Sequence, residues 1–267
     1  MAAGQRRSRE ELRAVLLEAG TSLLWKRGLI GGAEHVTFTE VFALAEGSWG
    51  SPISPASVYK RIWATQADFQ TDVLLAAAAT YPDGEARSTR VAAQTVLDSA
   101  DLRTAGSRAV ALSEICRVAG EAHIRALEAS RPWQIWVGIW ALTVSTPSTQ
   151  DDEILGPAIQ DGREKATLAL QEFLECCLPA VGYRVAQPFS YQQLALAIGA
   201  LAEGLALSNR FAPERVLRID RPALDAPRSL TETASASWTL FGVAMEGLVK
   251  QFCEPAKPPR SGSSPKS

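Results

Sequence analysis

Apolar residues along this chain recur at three- and four-residue intervals, and strict alternation is rare. That spacing gathers them on one side of a helix rather than one side of a strand. Valine and isoleucine are scattered while alanine, leucine, glutamate, glutamine and arginine dominate, so the expected fold class is all-α. A first helix is expected from about Ser8 to Arg27, because Ser8 and Glu11 form the S-x-x-E arrangement that satisfies free N–H groups at a helix start. Its apolar stripe is Leu12, Val15, Leu16, Ala19 and Leu23, and Gly28 stops it. Thr37 or Thr39 caps a short second helix that carries Val41, Phe42, Leu44 and Ala45 and ends at Gly47. Ser48 to Ile53 then form a turn. A third short helix begins near Ser54, with Pro55 at its first position, where the missing N–H costs nothing. Thr65 and Asp68 open a fourth helix carrying Phe69, Val73 and Leu74, which runs to the breaker cluster Tyr81-Pro82-Asp83-Gly84.

Longer helical patterns follow at about Glu85 to Ala100, Ala105 to Ala129, Pro132 to Val144, Asp151 to Leu178, Tyr191 to Phe211 and Leu230 to Phe252. Residues 254–267 are rich in Pro and Ser, lack apolar content and are expected to form a disordered tail. No internal repeat is visible.

Composition narrows the picture further. A chain of 267 residues can bury enough surface to fold without a metal or disulfide staple, as one large domain or two smaller ones. Four cysteines (Cys116, Cys176, Cys177, Cys253), with no CxxC pair, fit a reducing cytoplasm. The N-terminus turns charged where an export signal would be apolar, and the run Trp133 to Val144 is too short to span a bilayer, so no membrane partner is expected. The formal net charge of −2 argues against a polyanion-coating protein. Any DNA contact must use a local patch. Such a patch exists: no acid occurs between Gly47 and Thr65, and Arg6, Arg7 and Arg9 form a basic arm before the first helix.

Three short helices ahead of a much longer remainder suggest a small reader joined to a sensor. In a helix-turn-helix unit the second of the paired helices enters the major groove with its N-terminal side chains toward base edges. The candidate here is S-P-A-S-V-Y-K-R-I, residues 54–62, with hydroxyls at Ser54, Ser57 and Tyr59 and cations at Lys60 and Arg61. Such groups suit phosphate positioning and some base contact.

These residues resemble the tetracycline-repressor (TetR) family of bacterial one-component regulators, over roughly residues 8 to 75. Thr37, Gly47, Ser54, Ala56, Ser57, Val58, Tyr59, Arg61, Ile62 and Phe69 fall in order onto the family's pattern. The turn is longer than usual around Trp49 to Ile53, Ala56 replaces a glycine, and Thr65 replaces a lysine that would contact phosphate. The resemblance implies a homodimer built on two C-terminal helices from each subunit, here Tyr191 to Phe211 and Leu230 to Phe252. It also implies a small effector bound in the C-terminal domain that releases double-stranded operator DNA. Small residues at Ala195, Gly199, Ala202 and Ala206 permit close helix approach there, or make an ordinary alanine-rich core helix.

Trp133, Trp136 and Trp140 lie near one side of a single helix, as an apolar effector pocket or as plain core. His123 on the preceding helix is either a polar contact to the effector or a satisfied core or edge residue, and Phe173 completes the candidate ligand set. The acidic triplet Asp151, Asp152 and Glu153 superficially suggests a metal site, although acids also favour a helix's first turn. No facing acidic cluster or Ser/His/Asp grouping accompanies it, so neither catalytic nor metal-binding residues, nor any cofactor, are expected. Cys176 and Cys177 point about 100° apart on a helix and read as small hydrophobes or a thiol sensor.

The resulting expectation is a ligand-responsive, cytoplasmic transcriptional regulator, a repressor rather than an enzyme. Residues 1–63 would read DNA and residues 64–253 would bind effector and dimerise. Tyr59, Lys60 and Arg61 would sit on phosphates, and Ser54, Ser57 and Thr39 near bases, with Arg6, Arg7, Thr37 and Thr65 completing the DNA-contacting set. The alternatives are an all-α enzyme using Asp151 and Asp152, and an interaction protein whose helix-turn-helix no longer binds DNA.

Overall fold

The computed structural model describes residues 8–29, 33–50, 52–80, 84–145, 150–211, 219–222 and 235–256. In chain order the elements are α1 (Arg9–Arg27), α2 (Phe38–Trp49), α3 (Pro55–Arg61), α4 (Gln66–Ala79), α5 (Gly84–Ser99), α6 (Ala105–Ala129), α7 (Arg131–Ser145), α8 (Gln150–Ala180), β1 (Tyr183–Val185), α9 (Tyr191–Phe211), β2 (Ile219–Pro222), β3 (Ser235–Trp238), α10 (Leu240–Phe252) and β4 (Cys253–Pro255). The fold is all-α, with two short hairpin-like pairings added.

Helix starts follow side-chain chemistry. In α1, Glu11 N–H donates to Ser8 Oγ at 3.1 Å while Ser8 N–H donates to Glu11 Oε2 at 2.6 Å. Thr65 and Asp68 make the same reciprocal pair at the start of α4, and Ser190 with Gln193 does so before α9. Such a box satisfies two donors that the helix leaves open.

The chain divides into two compact units. The first comprises residues 1–82 and 130–166. Within it α1 packs on α2, α4 and α7, and α7 also packs on α4. Its core joins Leu16 and Leu24 to Phe38, Val41 and Phe42, then to Val58, Trp63, Phe69 and Val73, and finally to Ile135, Trp136 and Ile139. The second unit comprises residues 83–129 and 167–267. There α6 is the central element and packs on α5, α9 and α10. At the α6–α10 crossing Gly120 and Gly242 face each other, and a Cβ on Gly120 would stand only 3.2 Å from the Gly242 Cα.

Three details differ from the sequence expectation. Helix α2 continues through Gly47 to Trp49 and ends at Gly50, whose φ of +74° is the left-handed value that glycine takes without steric cost. The last helix begins at Leu240 rather than Leu230: Ser235–Trp238 pair with Ile219–Pro222 as antiparallel strands, and Thr239 then caps α10 by accepting from Gly242 N–H at 3.0 Å. The segment from Glu254 does not start as a tail, because Cys253–Pro255 pair with Tyr183–Val185, and Arg184 bridges Glu254 across the pair. The remaining tail, 257–267, lies outside the described residues.

For the small residues of α9 the sequence leaves two readings open. Ala195, Ala202 and Ala206 are each 1% exposed and packed inside the second unit, as the core alternative expects, whereas Gly199 is half-buried. Among the described residues α9 is also the one helix long and apolar enough, by length and composition, to cross a membrane. Its inner side meets α6 and α10, with Glu203 buried alongside the alanines.

Candidate functional site

The α2–α3 region is built around Phe38. Its ring stacks on Phe69 with centroids 4.7 Å apart and on Phe42 at 5.4 Å, and Tyr59 of α3 meets it edge-on at 4.8 Å. Trp63 lies just after α3 and meets Phe69 edge-on at 4.8 Å. Such offset and edge-on geometries suit the ring quadrupole and add to the apolar burial. The effect is that α3, only seven residues long, is seated against α2 and α4 by aromatic contacts and by Val58, which is fully buried.

Polar ties complete the seat. The lengthened turn between α2 and α3 is anchored at its far end, where Ile53 is buried and its N–H donates to Glu46 Oε1 at 3.3 Å. Gln66 at the start of α4 accepts from Phe38 N–H at 3.3 Å, and so caps α2 from a distance. Gln70 donates to the carbonyls of Glu34 and Val36 at 3.0 and 3.1 Å, holding the α1–α2 connection. None of these roles was predicted. The Gln66 and Gln70 bonds pair residues about 30 positions apart, which periodicity does not register.

Of the predicted DNA-contacting residues, Thr39, Ser54, Tyr59, Arg61 and Thr65 are exposed. Arg61 makes no ion pair among the described residues, which leaves its guanidinium available. Thr37 sits at the α2 N-cap but directs its hydroxyl to Glu40 Oε2 at 3.0 Å instead of to the helix backbone. Glu40 also takes a bidentate pair from Arg27 at 2.6 and 2.8 Å. The Arg27 guanidinium, followed by the Thr37 hydroxyl, holds the Glu40 carboxyl down to about 2, so this acid stays charged and committed. Thr65 gives its oxygen to the α4 cap. Arg6, Arg7 and the side chains of Ser57 and Lys60 lie outside the described residues.

The predicted ligand set falls into both units. Trp133, Trp136 and Trp140 belong to the first and His123 and Phe173 to the second. Trp136 is fully buried and donates its indole N–H to the Ala78 carbonyl at 3.1 Å, while Trp140 stacks on it at 6.1 Å beneath the Arg163 guanidinium. Trp133 is 2% exposed, and its indole N–H has no hydrogen-bond partner among the described residues. His123 Nδ1 lies 3.0 Å from Thr89 Oγ1, and the ring stacks at 5.7 Å on Phe241. Burial pushes this imidazole down to about 4, so it is neutral at pH 7.

Phe173 lines a cavity of about 480 Å³ between α5 and α8, with Leu97 and Leu102 beside it and Arg90, Glu172 and Cys176 also on its wall. A second cavity of about 530 Å³ lies between the end of α5 and the start of α6, lined largely by Val96, Val110 and Ala111 with Asp101 and Glu114. Both volumes suit a small organic molecule. Burial pushes the Cys177 thiol up to about 12 and the Cys253 thiol up to about 11, so these are small apolar groups at neutral pH. Among the described residues no three His, Cys, Asp or Glu side chains converge as a metal site. The side chains of Asp151 and Asp152 lie outside the described residues.

No protein-family model and no curated protein matches the chain. Among solved structures it is similar to a protein of Pseudomonas aeruginosa PAO1 described as a candidate transcriptional regulator, at 17% identity over 92% of each chain, with a TM-score of 0.43.

Proposed function

We propose that this protein is a transcriptional regulator that binds operator DNA and responds to a small molecule. The observation that carries the reading is α3: a short helix held by aromatic packing, free of acids, with Ser54, Tyr59 and Arg61 at the surface. A helix presented this way has what groove recognition needs: cations for phosphates, small hydroxyls for base edges and a fixed direction. The resemblance of residues 8 to 75 to the TetR family adds a mode of action. The protein would be a cytoplasmic homodimeric repressor, reading DNA with residues 1–63 and sensing with residues 64–253. Leu196 and Phe211, exposed on the outer side of α9, are available for the contact between copies.

The effector would be a small hydrophobic or aromatic molecule, and the cavity that Phe173 lines with Leu97 and Leu102 supports a site for it. Binding would favour a conformation whose two recognition helices no longer match major grooves about 34–36 Å apart. A salt titration tests the core of the reading. With a duplex selected from a randomised pool, affinity should fall steeply as salt rises, because phosphate contacts release counterions. An affinity that barely changes with salt, or failure to select any duplex, would instead favour an interaction protein that does not bind DNA.

A further inference from the structure

Outside the residues assigned to DNA and effector, the most specific arrangement in the first unit is a three-way contact at one carboxylate. Asp72 on α4 accepts from the Trp63 indole N–H at 2.6 Å and from Arg13 Nη2 at 2.7 Å, both on Oδ2. Arg13 belongs to α1, and its guanidinium carbon stands 5.8 Å from the centre of the Trp63 ring. Trp63 is 4% exposed and follows the α3 C-cap, Ile62, by one residue. One oxygen thus joins α1, α4 and the segment that leaves α3.

Two physical points give this junction weight. A seven-residue helix cannot hold its own direction in water, so its neighbours set it. The buried indole N–H also needs an acceptor, and losing one costs more than a typical hydrogen bond is worth. The Arg13–Asp72 pair is half-exposed, with side chains 47% and 25% accessible, and an ion pair there contributes little alone. Its use is to fix the carboxylate that the indole requires.

We propose that Asp72 is a positioning residue for the DNA-reading helix: through Trp63 and Arg13 it sets the direction in which α3 presents Ser54, Tyr59 and Arg61, without touching DNA itself. This inference rests on the DNA-binding reading. Its sign separates it from a simple charge effect. Removing a negative charge near DNA strengthens binding if charge alone matters, whereas loss of positioning weakens it.

The test uses the full chain and four variants: Asp72→Asn, Trp63→Phe, the double variant, and Arg13→Met as a surface change that leaves the core intact. Affinities are measured for a duplex that the wild type selects from a randomised pool and for an unrelated duplex. Asp72→Asn and Trp63→Phe should each lose about tenfold of the preference for the selected duplex, and Arg13→Met about threefold. Affinity for the unrelated duplex and the salt dependence should stay as in the wild type, since no phosphate contact is removed. The double variant should be no worse than the poorer single, because both remove one interaction. Backbone hydrogen exchange at residues 56–61 should quicken in both single variants. An unchanged or higher preference in Asp72→Asn, additive losses in the double, or unchanged exchange in α3 would each overturn the proposal. If the wild type selects no duplex, the DNA-binding reading fails by itself, and exchange at α3 then decides whether Asp72 holds that helix.

Discussion

The two units hold their helices by different means. In the first, α2, α3 and α4 have 12, 7 and 14 residues, and side chains supply the joints: the Phe38 cluster, the Gln66 and Gln70 bonds, and the shared Asp72 carboxylate. In the second, α6 and α9 have 25 and 21 residues, and α6 crosses α10 at facing glycines. Polar groups are buried there in local sets: Ser113 donates to Glu246 at 2.8 Å, with Lys250 at 3.1 Å, and Thr89 meets His123. A short helix takes its direction from its neighbours, so the first unit should be sensitive to the chemistry of its joints. Long helices direct themselves, so the second should be sensitive to volume where they cross.

The sharpest way to break that contrast is Phe69→Ala, which removes a ring touching both Phe38 and Trp63. It should cost about 3–5 kcal/mol of stability. Urea unfolding followed by tryptophan emission is a suitable readout, since six of the seven tryptophans fall in the first unit. A cost under about 1 kcal/mol would mean that the aromatic cluster is not what joins these helices.

At the glycine crossing, Gly120→Val should cost about 1–3 kcal/mol through overpacking. Gly47→Ala on α2 is the control: a Cβ there meets nothing within 4 Å, so thermal melts should show no loss and a gain of up to about 1 kcal/mol from helix propensity. Equal losses at the two positions would remove volume as the explanation.

His123 gives a pH signature to the second unit. Its folded-state value of about 4 lies below the ordinary 6.5, so the unfolded chain binds a proton that the folded chain refuses between those values. Stability should therefore fall as pH is lowered from 6.5 to 4, with a slope of at most about 1.4 kcal/mol per pH unit. Comparing wild type with His123→Gln in urea at pH 7, 6, 5 and 4 isolates the effect, and parallel curves would refute it.

The smallest expected effect distinguishes two threonines at helix starts. Thr65→Ala should cost about 1 kcal/mol because its oxygen caps α4, while Thr37→Ala should cost less because Thr37 does not cap α2. Equilibrium unfolding of the two variants side by side provides the check.

Much of the fold could be read from the chain because caps and apolar spacing are local. The bounds Ala105–Ala129 and Tyr191–Phe211 follow from such signals, and the Ser8 and Thr65 boxes form as their spacing implied. What could not be read is non-local. The strands β1 and β4 are three residues each, too short for alternation, and exist because residues about 70 positions apart meet. Glu246 is 1% exposed on the side of α10 that packs on α6, where Ser113 donates to it, while Lys250 reaches it from a half-exposed position. At the candidate site the outward groups of α3 were legible as a run without acids. The residues that hold α3 in place, Trp63, Asp72 and Glu46, were not, since nothing in their local spacing marks the group each one meets.

The connection from α2 to α3 has a consequence for how this region tolerates change in length. Gly50 closes α2 on one side, and on the other Ile53 is fixed by its burial and by Glu46 reaching forward from α2. The helices are thus referenced to each other by anchors outside the interval between Gly50 and Ile53. An added residue within that interval removes neither anchor, so this joint should accept a longer connection with a smaller loss of stability than an insertion inside α2 or α3.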